Sequence, residues 1–144
     1  MLRLDAFLPY QLSVVSNAVS GVIARTYESM FGLRIPEWRL IAILAEEEGL
    51  TQQALVSRTE MDKMTVSRAA HALVTRGLVS RVTHGTDKRS NTLALTAEGQ
   101  SLYAQISPKA LELEQRLLEM IGPGELKQLR AILERLKAAA DALR

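Results

Sequence analysis

Apolar residues recur every three or four positions along several stretches of the chain, which is the period of an α-helix. The first of these stretches contains Leu12, Val15, Val19, Ile23 and Tyr27. It follows Pro9, which the first turn of a helix tolerates, and we expect it to end near Gly32. A second helix is predicted to start at Pro36 and to close at the acidic run of residues 46–48.

The middle third of the chain predicts two short helices followed by a hairpin. Thr51 and Asp62 are suitable N-caps for a third and a fourth helix. The fourth helix places Val66, Ala70 and Leu73 on one side and polar residues on the other. Residues 78–83 and 91–95 have the composition of strands. This order is typical of a winged helix-turn-helix.

Two further helices are predicted after Thr96, separated by a break at residues 122–124. The last one carries apolar residues at alternating spacings of three and four, which is typical of a coiled-coil seam. The seam consists of Leu126, Leu129, Leu133, Leu136, Ala140 and Leu143. Our candidates for a dimer interface come from the first and the last helix. They are Leu12 and Val15 on the first, and Leu126, Leu129, Leu133, Leu136 and Leu143 on the last. The alternative is that the seam packs within its own subunit.

The predicted fold class is therefore mostly α-helical with a small β-hairpin wing. At 144 residues the chain is long enough for about one compact domain. Within it, residues 36–96 are assigned to the winged helix-turn-helix lobe. Residues 1–35 and 97–144 are assigned to flanking dimerisation helices.

Charge is distributed unevenly, although the net charge is only +2. Residues 1–50 carry four basic and six acidic side chains, and residues 98–144 carry seven of each. Residues 51–97 carry seven basic and three acidic side chains, a local net charge of +4. Because phosphate attracts basic side chains, this distribution favours nucleic acid as the partner of the middle third.

Several function classes are disfavoured by composition. The chain has no cysteine, so a disulfide, a thiolate zinc site and thiol-based sensing are excluded. Neither His71 nor His84 has clustered ligands, so we predict no metal site, and no cofactor is implied. There is no nucleophile with a base and no phosphate-binding glycine loop, so an enzyme is not expected. We see no membrane span or signal peptide and expect a cytoplasmic protein.

The candidates for DNA contact lie in two places. A recognition helix reads bases mainly with its first turns, which here present Lys63, Met64, Thr65, Ser67 and Arg68. Arg68 suits a bidentate contact to guanine, whereas Lys63 is expected nearer the phosphates. The predicted wing tip carries Asp87, Lys88 and Arg89 for a minor groove. The alternatives are an ordinary solvated helix face and an ordinary charged turn.

Four short motifs occur in register: DKMTVSR at residues 62–68, RGLV at 76–79, TDKRS at 86–90 and LTAEG at 95–99. In this respect the chain resembles the multiple antibiotic resistance regulator (MarR) family over nearly its whole length. The resemblance implies a homodimeric transcriptional regulator, often a repressor released by a small, frequently anionic aromatic ligand. It assigns DNA contact to Thr65, Ser67, Arg68, Asp87 and Arg89.

The chain departs from the family pattern at Met64, where a small polar residue is more common, and this allows either a contact to a thymine methyl group or a shifted base preference. The expected partners are double-stranded DNA with a palindromic operator, a second copy of the chain and a small-molecule effector whose pocket stays unassigned. The alternative function is a helical dimer that uses its winged helix to bind another protein.

Overall fold

The structure is a computed structural model that describes residues 1–83 and 91–144. Within these residues it contains one short 3-10 helix at Leu4–Ala6, six α-helices and one pair of antiparallel strands. The helices are α1 (Leu8–Phe31), α2 (Ile35–Glu46), α3 (Gln52–Thr59), α4 (Lys63–Thr75), α5 (Ala97–Leu117) and α6 (Pro123–Ala142). The strands are β1 (Val79–Val82) and β2 (Thr92–Leu95).

Side-chain hydrogen bonds set the starts of α2 and α3. The carboxylate of Glu37 accepts the backbone N–H of Arg34 at 2.8 Å, and Pro36 lies in the first turn of α2. The hydroxyl of Thr51 accepts the backbone N–H of Ala54 at 3.1 Å and so caps α3. These caps satisfy N–H groups that have no partner within the helix.

The strands pair from Val79 opposite Leu95 to Val82 opposite Thr92. Each is four residues long, slightly shorter than the sequence predicts. At the base of the hairpin, the Thr96 hydroxyl donates to the Gly77 carbonyl at 2.7 Å and accepts the Gly99 N–H at 3.1 Å. One side chain therefore joins the turn after α4 to the start of α5.

The main core lies within residues 1–110, which form one compact unit. Helices α1 to α5 and strand β2 all contribute to it. Its largest fully buried side chains are Tyr27, Leu33, Leu40, Ile41, Leu44, Leu55, Val66, Leu73, Leu93 and Ile106. Beside it, the Trp38 ring lies 5.1 Å from Tyr27 and 6.1 Å from Tyr103 between ring centroids, so the single tryptophan serves packing.

Residues 111–144 form a second compact unit, made of the end of α5 and the whole of α6. Within α6 the Lys137 ammonium lies 2.7 Å from the Asp141 carboxylate, one helical turn away. None of the helices in the described ranges combines the length and the apolar character that crossing a bilayer requires. The predicted fold class, mostly helical with one small hairpin, is confirmed.

Candidate nucleic-acid interface

Helix α4 divides its side chains between the core and solvent. Val66, Ala69, Ala70 and Leu73 are buried, as the periodicity predicts for three of them. Lys63, Met64, Ser67, Arg68 and His71 are exposed, and Thr65 is half-buried. Because its apolar side is held in the core, α4 presents its polar side in a fixed orientation.

The start of α4 is held by Asp62. One carboxylate oxygen accepts the Thr65 backbone N–H at 2.8 Å, and the other accepts the Thr65 hydroxyl at 2.9 Å. The backbone hydrogen bond and then the side-chain hydrogen bond from Thr65 lower the pKa of Asp62. Since the Thr65 hydroxyl donates its proton to Asp62, its oxygen has only acceptor capacity left for another group.

We call the exposed first turns of α4 the reading surface; it consists of Lys63, Met64, Thr65, Ser67 and Arg68. Met64 is 62% exposed there, which is unusual for a large apolar side chain. An apolar side chain between a hydroxyl and a guanidinium matches the mixture of hydrogen-bonding groups and methyl groups along a major groove. The wing residues Asp87, Lys88 and Arg89 lie outside the described residues.

A cleft of about 660 Å³ adjoins the reading surface, between α4 and the junction of α1 with α2. Three arginines line it, Arg34, Arg68 and Arg76, together with Thr65. Two carboxylates, Glu28 and Glu37, also line it, and Glu37 is committed to capping α2. The cleft therefore combines cationic groups with a short apolar floor of alanine and proline side chains.

Arg81 forms a polar contact that local sequence patterns do not predict. The Arg81 guanidinium donates to the Gln52 side-chain oxygen at 2.9 Å and joins β1 to the first turn of α3. Alternation along the strand places Arg81 on the same face as the buried Val79, so the strand pattern does not predict this contact, and its partner lies 29 residues away in sequence. Only the tertiary fold brings these two residues together.

Arg58, in contrast, is neutralised by the acidic run that closes α2. Its guanidinium lies 3.0 Å from the Glu47 carboxylate and 3.2 Å from that of Glu46. One of the seven basic side chains of residues 51–97 is therefore already paired. Four of the other six lie in the described part of the chain: Lys63 and Arg68 on α4, and Arg76 and Arg81, whose guanidinium groups already donate hydrogen bonds within the protein. Lys88 and Arg89 lie outside it.

The residues predicted for dimerisation are largely accessible in the single chain. On α1, Leu12 is 41% and Val15 is 59% exposed. On α6, Leu129 is 39% and Leu133 is 46% exposed, whereas Leu126 and Leu136 are half-buried. Leu143 follows the last residue of α6 and is exposed.

Comparison with known proteins bears on these observations. A sequence profile of the MarR family matches residues 31–90, which extend from the end of α1 to the hairpin. The HTH-type transcriptional regulator FarR of Neisseria gonorrhoeae is 31% identical over 107 residues, covering 74% of this chain and 73% of FarR. The chain belongs to the MarR family. The predicted resemblance is thereby confirmed, and the protein is a transcriptional regulator of the MarR type.

Solved structures agree with this assignment. A MarR/EmrR family transcriptional regulator from Acinetobacter sp. ADP1 superposes with a TM-score of 0.90 at 29% identity, covering 98% of this chain and 99% of that one. CouR from Rhodococcus jostii RHA1 has the same fold, with a TM-score of 0.81 at 24% identity and coverage of 94% and 95%. Membership of the MarR family does not favour the alternative function, in which the winged helix binds another protein and not DNA.

Proposed function

We propose that the chain acts as a homodimer that reads a palindromic operator with α4 of each copy in the major groove. The observation that carries this proposal is the reading surface, exposed on a helix whose opposite side is buried. Such a helix can enter a DNA groove with its polar side while its apolar side stays packed in the core. Two copies related by a twofold axis would read two half-sites.

Each residue of the reading surface has a separate role in this proposal. Arg68 donates two hydrogen bonds to a guanine, and Met64 contacts a thymine methyl group. Thr65 accepts a hydrogen bond from a base amino group, because Asp62 already holds its proton. Lys63 and Ser67 contact phosphate and adjacent groups. Lys88 and Arg89, oriented by Asp87, are proposed to reach the minor groove.

The dimer is proposed to form through α1 and the α6 seam. Leu12 and Val15 on α1, together with Leu129, Leu133 and the rest of the seam, would be covered by the second copy. Exposed apolar residues at this spacing are costly in water and are typical of helices that pair with another helix. A repressor role follows when the operator overlaps a promoter, and we propose that role here.

A small anionic ligand is proposed to relieve repression by binding in the cleft between α1, α2 and α4. The Arg34 and Arg68 guanidinium groups can bind an anion. A ligand bound there would occupy Arg68, which the proposed contact to guanine requires. CouR was solved bound to p-coumaroyl-CoA, which supports ligand response in this fold. We expect a ligand that raises Tm in a screen of aromatic carboxylates to weaken DNA binding, and Arg34→Ala to reduce both effects. Ligands that raise Tm with no change in DNA affinity would contradict this proposal.

The DNA proposal is tested by fluorescence anisotropy. The probe is the tightest duplex selected from a random-sequence library, compared with a scrambled duplex at two salt concentrations. We expect selective binding that weakens steeply with salt. Equal, weak binding to both duplexes by a folded dimer would reject DNA reading.

A further inference from the structure

Arg76 is the last residue in the chain before the turn that leads into β1, and it caps the C-terminal end of α4. Its side chain extends toward the end of α1 and not toward the hairpin. The guanidinium donates to the Gly32 carbonyl at 3.0 Å and to the Phe31 carbonyl at 3.3 Å. Both acceptors belong to the C-terminal end of α1, 44 and 45 residues away in sequence.

The end of α1 is shaped to present these carbonyls. Gly32 has φ of +62°, a left-handed conformation that an L side chain rarely adopts, and its N–H returns to the Glu28 carbonyl at 3.0 Å. The helix stops there, so the Phe31 and Gly32 carbonyls have no following turn to accept from. Arg76 supplies the missing donors.

The two helix ends that meet at Arg76 are both C-terminal ends, which carry partial negative charge. A cation between them offsets their repulsion. A guanidinium also has the planar donor geometry needed to bridge two neighbouring carbonyls, whereas a lysine ammonium acts as a point charge. The position thus suits arginine better than any other residue.

This contact joins α4, which is proposed to read DNA, to α1, which is proposed to form the dimer. Helix α4 packs chiefly on α2 and α3, so a direct link from α4 to α1 bypasses both of those helices. Helix α1 has 24 residues, a length of roughly 36 Å, and it carries the proposed dimer residues Leu12 and Val15 toward its other end. The angle between α1 and α4 therefore contributes to the distance between the two reading helices of a dimer.

We propose that Arg76 is a positioning residue that sets the half-site spacing the dimer accepts, by fixing the recognition helix to the dimerisation helix. The inference rests on the proposed DNA-reading dimer. One added base pair rotates the second half-site by about 34°, given 10–10.5 base pairs per turn. A dimer rejects such a rotation only if each recognition helix is held rigidly relative to the interface.

The test measures DNA affinity as a function of half-site spacing. The selected operator is rebuilt with one base pair removed, one added and two added, and a duplex with a single half-site is included. The wild type is compared with Arg76→Ala and with Arg76→Lys, which keeps the charge but lacks the planar fork of donors that fixes the guanidinium on both carbonyls. Arg58→Ala is the matched control, because it removes an exposed arginine that ties α3 to the end of α2.

For Arg76→Ala we expect the preference for the best spacing over the shifted ones to fall about fivefold or more, while single half-site affinity stays within about twofold. Arg76→Lys should lie between Arg76→Ala and the wild type, and Arg58→Ala should keep the wild-type preference. Melting temperatures of all variants show whether each one is folded at the assay temperature.

Three results would overturn the inference. The first is an unchanged spacing preference in folded Arg76→Ala and Arg76→Lys. The second is a loss of single half-site affinity with the spacing preference intact, which indicates a purely structural role within the lobe. The third is a wild type that tolerates every spacing. A wild type that selects no DNA at all would instead reject the proposed function, and this inference with it.

Discussion

Helices α4 and α6 differ in which kind of side chain they expose. Of the 13 residues of α4, four apolar ones are buried, and the exposed side offers hydroxyl, guanidinium and ammonium groups. All 20 residues of α6 are described and none is buried, while leucines and an isoleucine are exposed along it. A helix whose apolar side is already buried needs no partner to be stable, so its polar side is free for a polar ligand. A helix with an uncovered apolar seam needs another apolar surface.

The largest effect should come from placing a charge in the seam. Leu133→Asp would put a carboxylate from each of the two copies into the proposed dimer interface. We expect the dimer dissociation constant to rise by roughly a hundredfold or more, with loss of tight binding to the two-half-site operator. Sedimentation equilibrium measures the association. Gln128→Asp adds the same charge on α6 outside the seam and should leave the dimer intact.

A Leu133→Asp protein that stays dimeric and binds DNA normally would break the comparison. The seam would then pack within its own subunit, which is the alternative that the sequence left open.

Arg68→Ala tests the polar side of the comparison. Loss of a bidentate guanine contact should cost about 1–3 kcal/mol on the selected operator and much less on scrambled DNA. Lys63→Ala should instead weaken binding to both duplexes by a similar factor and reduce the salt slope by about 1. Anisotropy titrations at several salt concentrations separate the two. Equal losses on both duplexes for Arg68→Ala would place Arg68 on phosphate and not on a base.

Met64 sharpens the comparison, because it is an apolar side chain on an otherwise polar surface. If it contacts a thymine methyl group, replacing that thymine by uracil should weaken wild-type binding about fourfold, near the ~0.8 kcal/mol of one buried methyl group. For Met64→Ala the same replacement should have little effect. A double-mutant cycle over all thymines of one half-site gives the measurement. Additive losses at every thymine would reject the contact.

The smallest effect concerns the cap that orients Thr65. Hydrogen bonds hold the pKa of Asp62 below its ordinary value in the folded state, so this contribution to stability is present above the unfolded-state pKa. It is lost as the pH falls through the lower, folded-state pKa. Asp62→Ala should therefore lower Tm at neutral pH, and the difference from wild type should shrink in acid.

Asp62→Asn is the matched control, since asparagine caps a helix without a charge. It should restore most of the Tm at neutral pH, and the Tm difference between Asp62→Asn and Asp62→Ala should stay constant with pH, because neither side chain titrates. A gap between wild type and Asp62→Ala that is constant with pH would contradict the role of the ionised carboxylate.

Local sequence features were sufficient to predict α4 and its sides. Asp62 is a strong N-cap, and the spacing of Val66, Ala70 and Leu73 specifies the buried side of a helix whatever surrounds it. The seam of α6 was predicted for the same reason, although its last member, Leu143, falls just beyond the helix. Periodicity is a property of neighbouring residues, and these predictions required nothing else.

The ties between distant residues could not be predicted in this way. Arg76 reads in the sequence as part of a short motif after α4, and its acceptors are backbone carbonyls, which every residue possesses. Arg81 and Gln52 likewise meet only because β1 and α3 are neighbours in the fold. The assignment of a basic residue to DNA, to a carboxylate or to a helix end therefore depends on tertiary structure.

The separation of the two sides of α4 also affects how such a regulator can diverge after gene duplication. None of the residues that hold α4 in the core belongs to the reading surface. The buried residues are Val66, Ala69, Ala70 and Leu73. Changes at Met64, Ser67 or Arg68 can therefore accumulate with little loss of stability. A duplicated copy could acquire a new operator through two or three substitutions while it keeps its core, and relatives with the same fold need not control the same genes.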